Sequence, residues 1–139
     1  MVHVTRVEHF NAAHKLWNEK WSAEKNKEVF GKCANENYHG HNYELHVTVK
    51  GNMHEDTGFV INAKELGEIM KVHVVDIVDH CNLNMDVPFM KGKFTSAENF
   101  AVAIWNLLEA EIQKHGAQIH CVKLIETQRI YVEYFGDNG

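Results

Sequence analysis

The chain has 139 residues, of which 45% are hydrophobic and 24% charged, and its 14 Lys and Arg against 19 Asp and Glu leave a formal net charge of -5. This is about one domain's length of ordinary globular composition, so residues 1–139 are expected to form a single domain with a real core and no disordered segment. The acidic balance, without a basic cluster, argues against nucleic acid as a partner, and the lack of an apolar run of about 18 residues argues against a membrane; a small anion held by a few lysines remains compatible.

Cys33, Cys81 and Cys121 are widely spaced and form no CxxC, which points to a reducing compartment rather than a disulfide framework. The N-terminus, Met1 to Arg6, lacks the apolar block of a signal peptide, so a cytoplasmic location is expected.

Residues 2–14 read as a strand with Val4, Arg6, Glu8, Phe10, Ala12 and His14 on one face, because side chains alternate along an extended chain. His14 closes that face. Residues 18–30 are strongly polar and lack a sustained period; they are expected to form a long loop with room for one helical turn, and long loops in small domains are often functional.

The stretch Phe30 to Tyr43 carries the densest chemistry. Cys33 precedes a His-x-His pair, His39 and His41, which runs directly into the alternating Leu45, Val47 and Val49. In a strand, residues two apart point the same way, so the pair can offer two imidazoles to one point, with His14 as the candidate third. Three histidines with no obvious fourth protein ligand describe a zinc site that keeps one position open, the catalytic arrangement. The chain contains 11 histidines, so such a pair also arises by chance; Cys33 admits two further readings, as a fourth, structural ligand or as a buried thiol.

Asn52 to Gly58 reads as a turn, and Phe59, Val60 and Ile61 as the return strand of a hairpin. Asn62, with Glu65 three residues on, opens a helix whose Leu66, Ile69, Met70, His73, Val74 and Ile77 form one stripe. It ends near Val78 to His80, where His80 at the negative end of the dipole needs no functional reason. After a connection holding the only proline, Pro88, the run Thr95-Ser96-Ala97-Glu98 is a second capping box. It opens a helix through Phe100, Ala101, Ile104, Trp105, Leu107, Leu108 and Ile112, stopped at Gly116. Residues 119–126 alternate His120, Val122, Leu124 and Glu126 against Ile119, Cys121, Lys123 and Ile125, and a hairpin at Gln128-Arg129 leads to a last strand over 130–135. Glu126 ends a mainly apolar face, which is costly unless it is ion-paired or holds a polar ligand.

Helices segregated from strands indicate an α+β fold with an antiparallel sheet of four strands and two helices. The last strand has apolar residues on both faces, so neighbouring subunits are expected to cover part of the sheet.

Phe10-Asn11-Ala12-Ala13-His14, Phe30-Gly31-Lys32-Cys33, His39-Gly40-His41-Asn42-Tyr43, Thr57-Gly58-Phe59-Val60, Asp79-His80-Cys81-Asn82-Leu83, Glu98-Asn99 and Glu126-Thr127 resemble, in order, the blocks of the 6-pyruvoyl-tetrahydropterin synthases and related 6-carboxytetrahydropterin synthases. The resemblance implies a tunnelling fold (T-fold), in which four-stranded antiparallel sheets with two helices packed on one face oligomerise into a barrel, usually a hexamer made of two trimers. It implies Zn2+ on His14, His39 and His41, and 7,8-dihydroneopterin triphosphate as substrate, bound between subunits. Cys33 would be the proton-abstracting thiol, and Asp79 with His80 a second acid/base pair contributed across an interface, which displaces the helix-end reading of His80. Glu126 would accept hydrogen bonds from the guanidine-like edge of the pterin, with Glu98, Thr127 and Ser96 as further substrate contacts. One departure is Ala97, where the family often carries the second of two hydroxyl residues before the glutamate; that contact is lost or met by backbone, Thr95 or Ser96.

The activity implied is a zinc-dependent lyase that eliminates triphosphate to give 6-pyruvoyl-tetrahydropterin, a step of tetrahydrobiopterin biosynthesis. The spacing from Cys33 to His39 and the length of the Asp79 to Pro88 block resemble that branch. The alternative within the family is 6-carboxy-5,6,7,8-tetrahydropterin synthase, which releases acetaldehyde in queuosine-type synthesis. From other classes, a non-catalytic interaction protein with structural zinc on Cys33 and an aldolase-like pterin enzyme are also compatible.

Overall fold

Period-two alternation builds two long strands, β1 (Val2–His14) and β2 (His39–Gly51), which pair antiparallel from Val2 opposite Gly51 to His14 opposite His39. The computed structural model describes residues 1–137 and adds β4 (Gln118–Thr127) beside β2 and β5 (Ile130–Tyr134) beside β4, all antiparallel. A fifth member, β3 (Cys81–Asn82), lies parallel to β1 at Ala12 and Ala13, so the order is β3-β1-β2-β4-β5 and the sheet is mixed rather than purely antiparallel. Two residues are too few to show a period.

The core-facing side of β2, Tyr43, Leu45, Val47 and Val49, is almost wholly buried, together with Phe10 of β1 and Val122 and Leu124 of β4. Burying a side chain of this kind is worth about 1.5–3 kcal/mol, which fixes the register of the strands against a one-residue slip. Two helical segments cover this face. One is α2 (Ala63–Met70), continued by a π-helical turn (Lys71–Val75) and a last turn α3 (Asp76–Val78). The other is α4 (Ala97–Gln113), which brings Phe100, Ile104, Leu108 and Ile112 into the core. Gly67 lets the Arg6 guanidinium lie against α2, since a Cβ there would sit 3.0 Å from Arg6 Cζ.

Several local expectations are corrected. Residues 18–30 hold a two-turn helix, α1 (Ala23–Phe30), followed by a 3-10 turn (Gly31–Ala34). Ser22 caps α1 by accepting from the Lys25 N–H, and the fully buried Asn26 amide binds Asn18 O and Ser22 O at 3.0 Å each. A buried polar clasp replaces the apolar stripe that periodicity detects. Among the described residues, Phe59 to Ile61 pairs with no strand: the His54 N–H donates to Phe59 O, closing a turn that buries Val60 and Ile61 and exposes Phe59.

In the first long helix Val78 is buried where Ile77 was expected, and Ile77 is 37% exposed. The π turn inserts an extra residue and rotates the last turn of the helix relative to the first. A bulge opposite Thr48 and Val49 does the same in β4, where Ile119 and Val122 face the core and His120 does not. The N-cap of α4 is Ser96, which accepts from the Asn99 N–H, so Thr95 lies one residue outside the helix and Glu98 is not the box partner. Among the described residues no helix is long and apolar enough to cross a membrane, and all three cysteines are free.

Candidate metal centre

β1 and β2 end together, and the apolar face they share ends in histidine. His14 lies directly opposite His39, and His41 opposite Ala12, so all three imidazoles continue the row of Phe10 and Tyr43. Their ring centroids are 4.5 Å (His14 and His39), 5.1 Å (His14 and His41) and 4.9 Å (His39 and His41) apart. One nitrogen from each lies within 4.8 Å of the others.

The rings are short of partners. Among the described residues, His14 Nε2, His41 Nε2 and both nitrogens of His39 are buried without a hydrogen-bond partner. Such orphans are costly unless something absent from the protein satisfies them. His14 is 2% exposed, and its Nδ1 lies 2.7 Å from the Thr95 carbonyl. A carbonyl only accepts, so Nδ1 carries the proton and Nε2 keeps its lone pair for the common point. Burial is the first cause that lowers the pKa of all three imidazoles; for His14 the Thr95 contact and Glu126 oppose it in part, and each ring also feels a neighbouring imidazole. Neutral imidazole is the ligand form. The residues therefore fit a divalent ion of zinc type.

Glu126, in the same row on β4, stands 3.6 Å from His41 Nε2 and 4.0 Å from His14 Nε2, too far for hydrogen bonds. Burial pushes its carboxyl upward, His14 draws it down, and Glu98 adds to the rise. Tyr43, packed between Phe10 and Phe100, ends in a buried hydroxyl without a partner, and burial followed by the charge of Glu126 raises its pKa. The cluster thus holds a carboxyl group and a phenol beside the three nitrogens.

Cys33 sits on the 3-10 turn, and its carbonyl accepts from the Leu16 N–H at 2.8 Å, which ties the turn to the chain just past His14. Its sulfur does not join the three nitrogens as a fourth ligand. Tyr38, directly before His39, takes φ 69°, with the Lys15 ammonium 4.9 Å from its ring centroid. Left-handed backbone at a non-glycine residue is a local cost that marks constrained loops.

Ser96 and Glu98 line a cavity with Trp21, Phe30, Phe94 and Asn99, and Trp21 and Phe30 stack at 5.7 Å. The Thr127 hydroxyl accepts from the N–H groups of Arg129 and Ile130 at 3.1 Å each, closing the β4–β5 hairpin and leaving only its own proton to donate. Asp79 and His80 lie elsewhere. Asp79 Oδ1 accepts from the Asn11 N–H and stands 3.0 Å from His80 Nδ1, and His80 adopts φ 62°. They border a cavity with residues of both strand phases, His9, Asn11, Asn42 and Glu44 beside Phe10 and Tyr43, and His80 shares a second cavity with His41. One chain therefore brings together His14, His39, His41 and Glu126, and holds Asp79 and His80 outside that cluster, on the backbone of Asn11 at the edge of β1. The contact of Thr95 with His14 carries no sequence signal, since it is made by a backbone carbonyl.

The 6-pyruvoyl tetrahydropterin synthase family model matches residues 3–137. The chain is 43% identical to a 6-pyruvoyl tetrahydrobiopterin synthase of Dictyostelium discoideum over 96% of both chains, and 39% identical to that of Homo sapiens over 96% of this chain and 91% of the human one. The structure of Caenorhabditis elegans 6-pyruvoyl tetrahydropterin synthase superposes with a TM-score of 0.90 at 38% identity, covering 98% of this chain and 96% of the other.

Proposed function

Because the chain belongs to the 6-pyruvoyl tetrahydropterin synthase family, we propose that it is a zinc-dependent lyase that converts 7,8-dihydroneopterin triphosphate into 6-pyruvoyl-tetrahydropterin and triphosphate. The observation that carries this reading is the set of partnerless imidazole nitrogens on His14, His39 and His41, within 4.8 Å of one another at the end of an apolar face. When bound there, zinc supplies Lewis acidity toward a side-chain hydroxyl oxygen. In this reading Cys33 acts as base rather than as a fourth, structural ligand, which its place outside the three-nitrogen cluster supports.

The protein's own groups divide the remaining work. The Cys33 sulfur, as thiolate, takes a proton from a carbinol carbon of the substrate. Asp79 is held ionised first by the Asn11 N–H and then by His80, and it orients His80 through Nδ1, leaving Nε2 to move the second proton. Glu126 accepts from the guanidine-like edge of the pterin, and Glu98 and Ser96 face the same ligand from the cavity walled by Trp21 and Phe30; the Thr127 hydroxyl can add one donated bond. Ala97, 6% exposed, packs into the core and offers no hydroxyl. Loss of hydrogen from the carbinol next to the ring is balanced by reduction of the ring C=N bond. Triphosphate leaves with the electrons of its C–O bond as the neighbouring carbinol becomes a ketone. The separation of Asp79 and His80 from the triad supports an assembly, a hexamer of two trimers, in which a neighbouring chain completes each site. The protein is read as a single-domain enzyme of the cytoplasm with no nucleic-acid or membrane partner.

Incubation of the zinc-loaded protein with 7,8-dihydroneopterin triphosphate, followed by mass spectrometry, tests the reading. The expected products are 6-pyruvoyl-tetrahydropterin and triphosphate. Acetaldehyde with a carboxylated tetrahydropterin would overturn it in favour of the sister activity, and unchanged substrate would overturn it altogether.

A further inference from the structure

Lys15 is the first residue beyond the β1–β2 ladder, which ends at His14 and His39. Its backbone N–H and C=O have no strand to pair with, and such groups are rarely left unmet. The Asn84 side chain meets both. Lys15 N–H donates to Asn84 Oδ1 at 3.0 Å, and Asn84 Nδ2 donates to Lys15 O at 3.1 Å. Asn84 is in turn set by Asn82, whose Oδ1 accepts from the Asn84 N–H at 2.9 Å.

Thr95 closes the arrangement from the other side. It is 1% exposed, and its hydroxyl lies 3.2 Å from Lys15 O and 3.1 Å from Asn84 Oδ1. With a single proton it donates to one of them at a time. Its carbonyl accepts from His14 Nδ1 at 2.7 Å. Thr95 therefore grips the His14 ring with its backbone and the backbone of the next residue with its side chain. Two segments distant in sequence, around Asn84 and Thr95, thus meet the chain at Lys15, and Thr95 also meets the His14 ring.

We propose that Thr95 and Asn84 are positioning residues: their clamp on Lys15 keeps His14 in the Nδ1-protonated tautomer with Nε2 turned to the triad, and so sets the affinity of the triad for a divalent cation. The inference rests on the reading of His14, His39 and His41 as a metal site. Without the clamp the Lys15 backbone keeps only the neighbouring Leu16 bond to Cys33, the Thr95 carbonyl loses its fixed aim, and a rotated ring or the other tautomer would present an N–H where a lone pair is required. Groups that orient ligating histidines in this way typically change metal affinity by about 10–100-fold.

The test uses metal-free full-length protein, titrated with Co2+ against a competing chelator and followed by visible absorption, with 15N NMR of the His14 ring reporting its tautomer. Thr95→Val removes the hydroxyl and keeps the carbonyl, Thr95→Ser restores the hydroxyl, and Asn84→Ala removes the exposed partner, so it carries the test even if the buried valine prevents folding. The expected result is cobalt binding at least about tenfold weaker in Thr95→Val and Asn84→Ala, with mixed His14 tautomers, and near wild-type behaviour in Thr95→Ser. Wild-type affinity and a single tautomer in the folded clamp variants would overturn the clamp while leaving the metal reading intact. A wild-type protein that takes up no cobalt would overturn the metal reading and the clamp with it.

Discussion

At the scale of single residues, Asp79 shows how a side chain can be constrained by backbone as much as by another side chain. The Asn11 N–H holds its carboxyl below the usual range, burial opposes this, and His80 adds to the lowering. A carboxyl with a depressed folded-state pKa contributes stability above its unfolded value of about 3.9 and loses it as pH falls through the lower folded value. Asp79→Asn removes that titration. Its urea midpoint should fall below that of the wild type near neutral pH and approach it as the pH falls through the lowered folded-state value, and a gap that stayed constant across the range would contradict the contact. His14, His39 and His41 were legible because strand phase alone puts them on one side of the sheet. Asn84 and Thr95 were not, because an asparagine in a connection and a threonine before a helix look the same whether or not their groups happen to meet a particular backbone.

Among the elements, the helical segment over residues 63–78 illustrates how an irregularity can place a functional pair. Leu66, Met70, Val74 and Val78 are each 0% exposed, a spacing of four throughout, which an α-helix of 3.6 residues per turn cannot sustain without drift. The π turn over Lys71–Val75 absorbs the drift and delivers Asp79 to Asn11. Deleting Val72, which is 54% exposed, would restore a regular helix and rotate every later residue of the segment by about 100°. The expected outcome is a lower urea midpoint and lost turnover with metal uptake retained; unchanged turnover would show that the π turn does not set the position of Asp79. Periodicity located this helix but could not register the inserted residue, because Ile77 and Val78 are both apolar and the choice between them is made by packing. The same holds for α1, which is fastened by the buried Asn26 rather than by a stripe.

For the whole molecule, the decisive feature is the sheet itself, with the triad and Glu126 on the helix side and Asp79 with His80 held on Asn11 at the edge of β1, outside the triad. Ile130 and Tyr131, each 53% exposed on the outermost strand, leave an edge on which another chain can pair. If each site combines Cys33 of one chain with His80 of its neighbour, Cys33→Ala and His80→Ala proteins should be inactive alone and active when co-refolded. Random assembly makes about one site in four intact, half of the first positions multiplied by half of the second, so recovery to about a quarter of wild-type activity is expected. No recovery would place both groups in one chain's site.

The sequence by itself determined what depends on short range. Alternation set the strands and their buried faces, capping residues opened the helices, and the histidine spacing aimed three ligands at one point, since backbone geometry converts residue spacing into direction without reference to the rest of the chain. The tertiary structure alone decided what depends on which segments meet: the parallel β3 beside β1, the turn in place of a third hairpin strand, the carbonyl of Thr95 on His14, and the separation of Asp79 from the triad. Apart from the turn, which closes over five residues between His54 and Phe59, these depend on residues tens of positions apart, chosen by packing and by the need to satisfy backbone groups, and no local pattern encodes them.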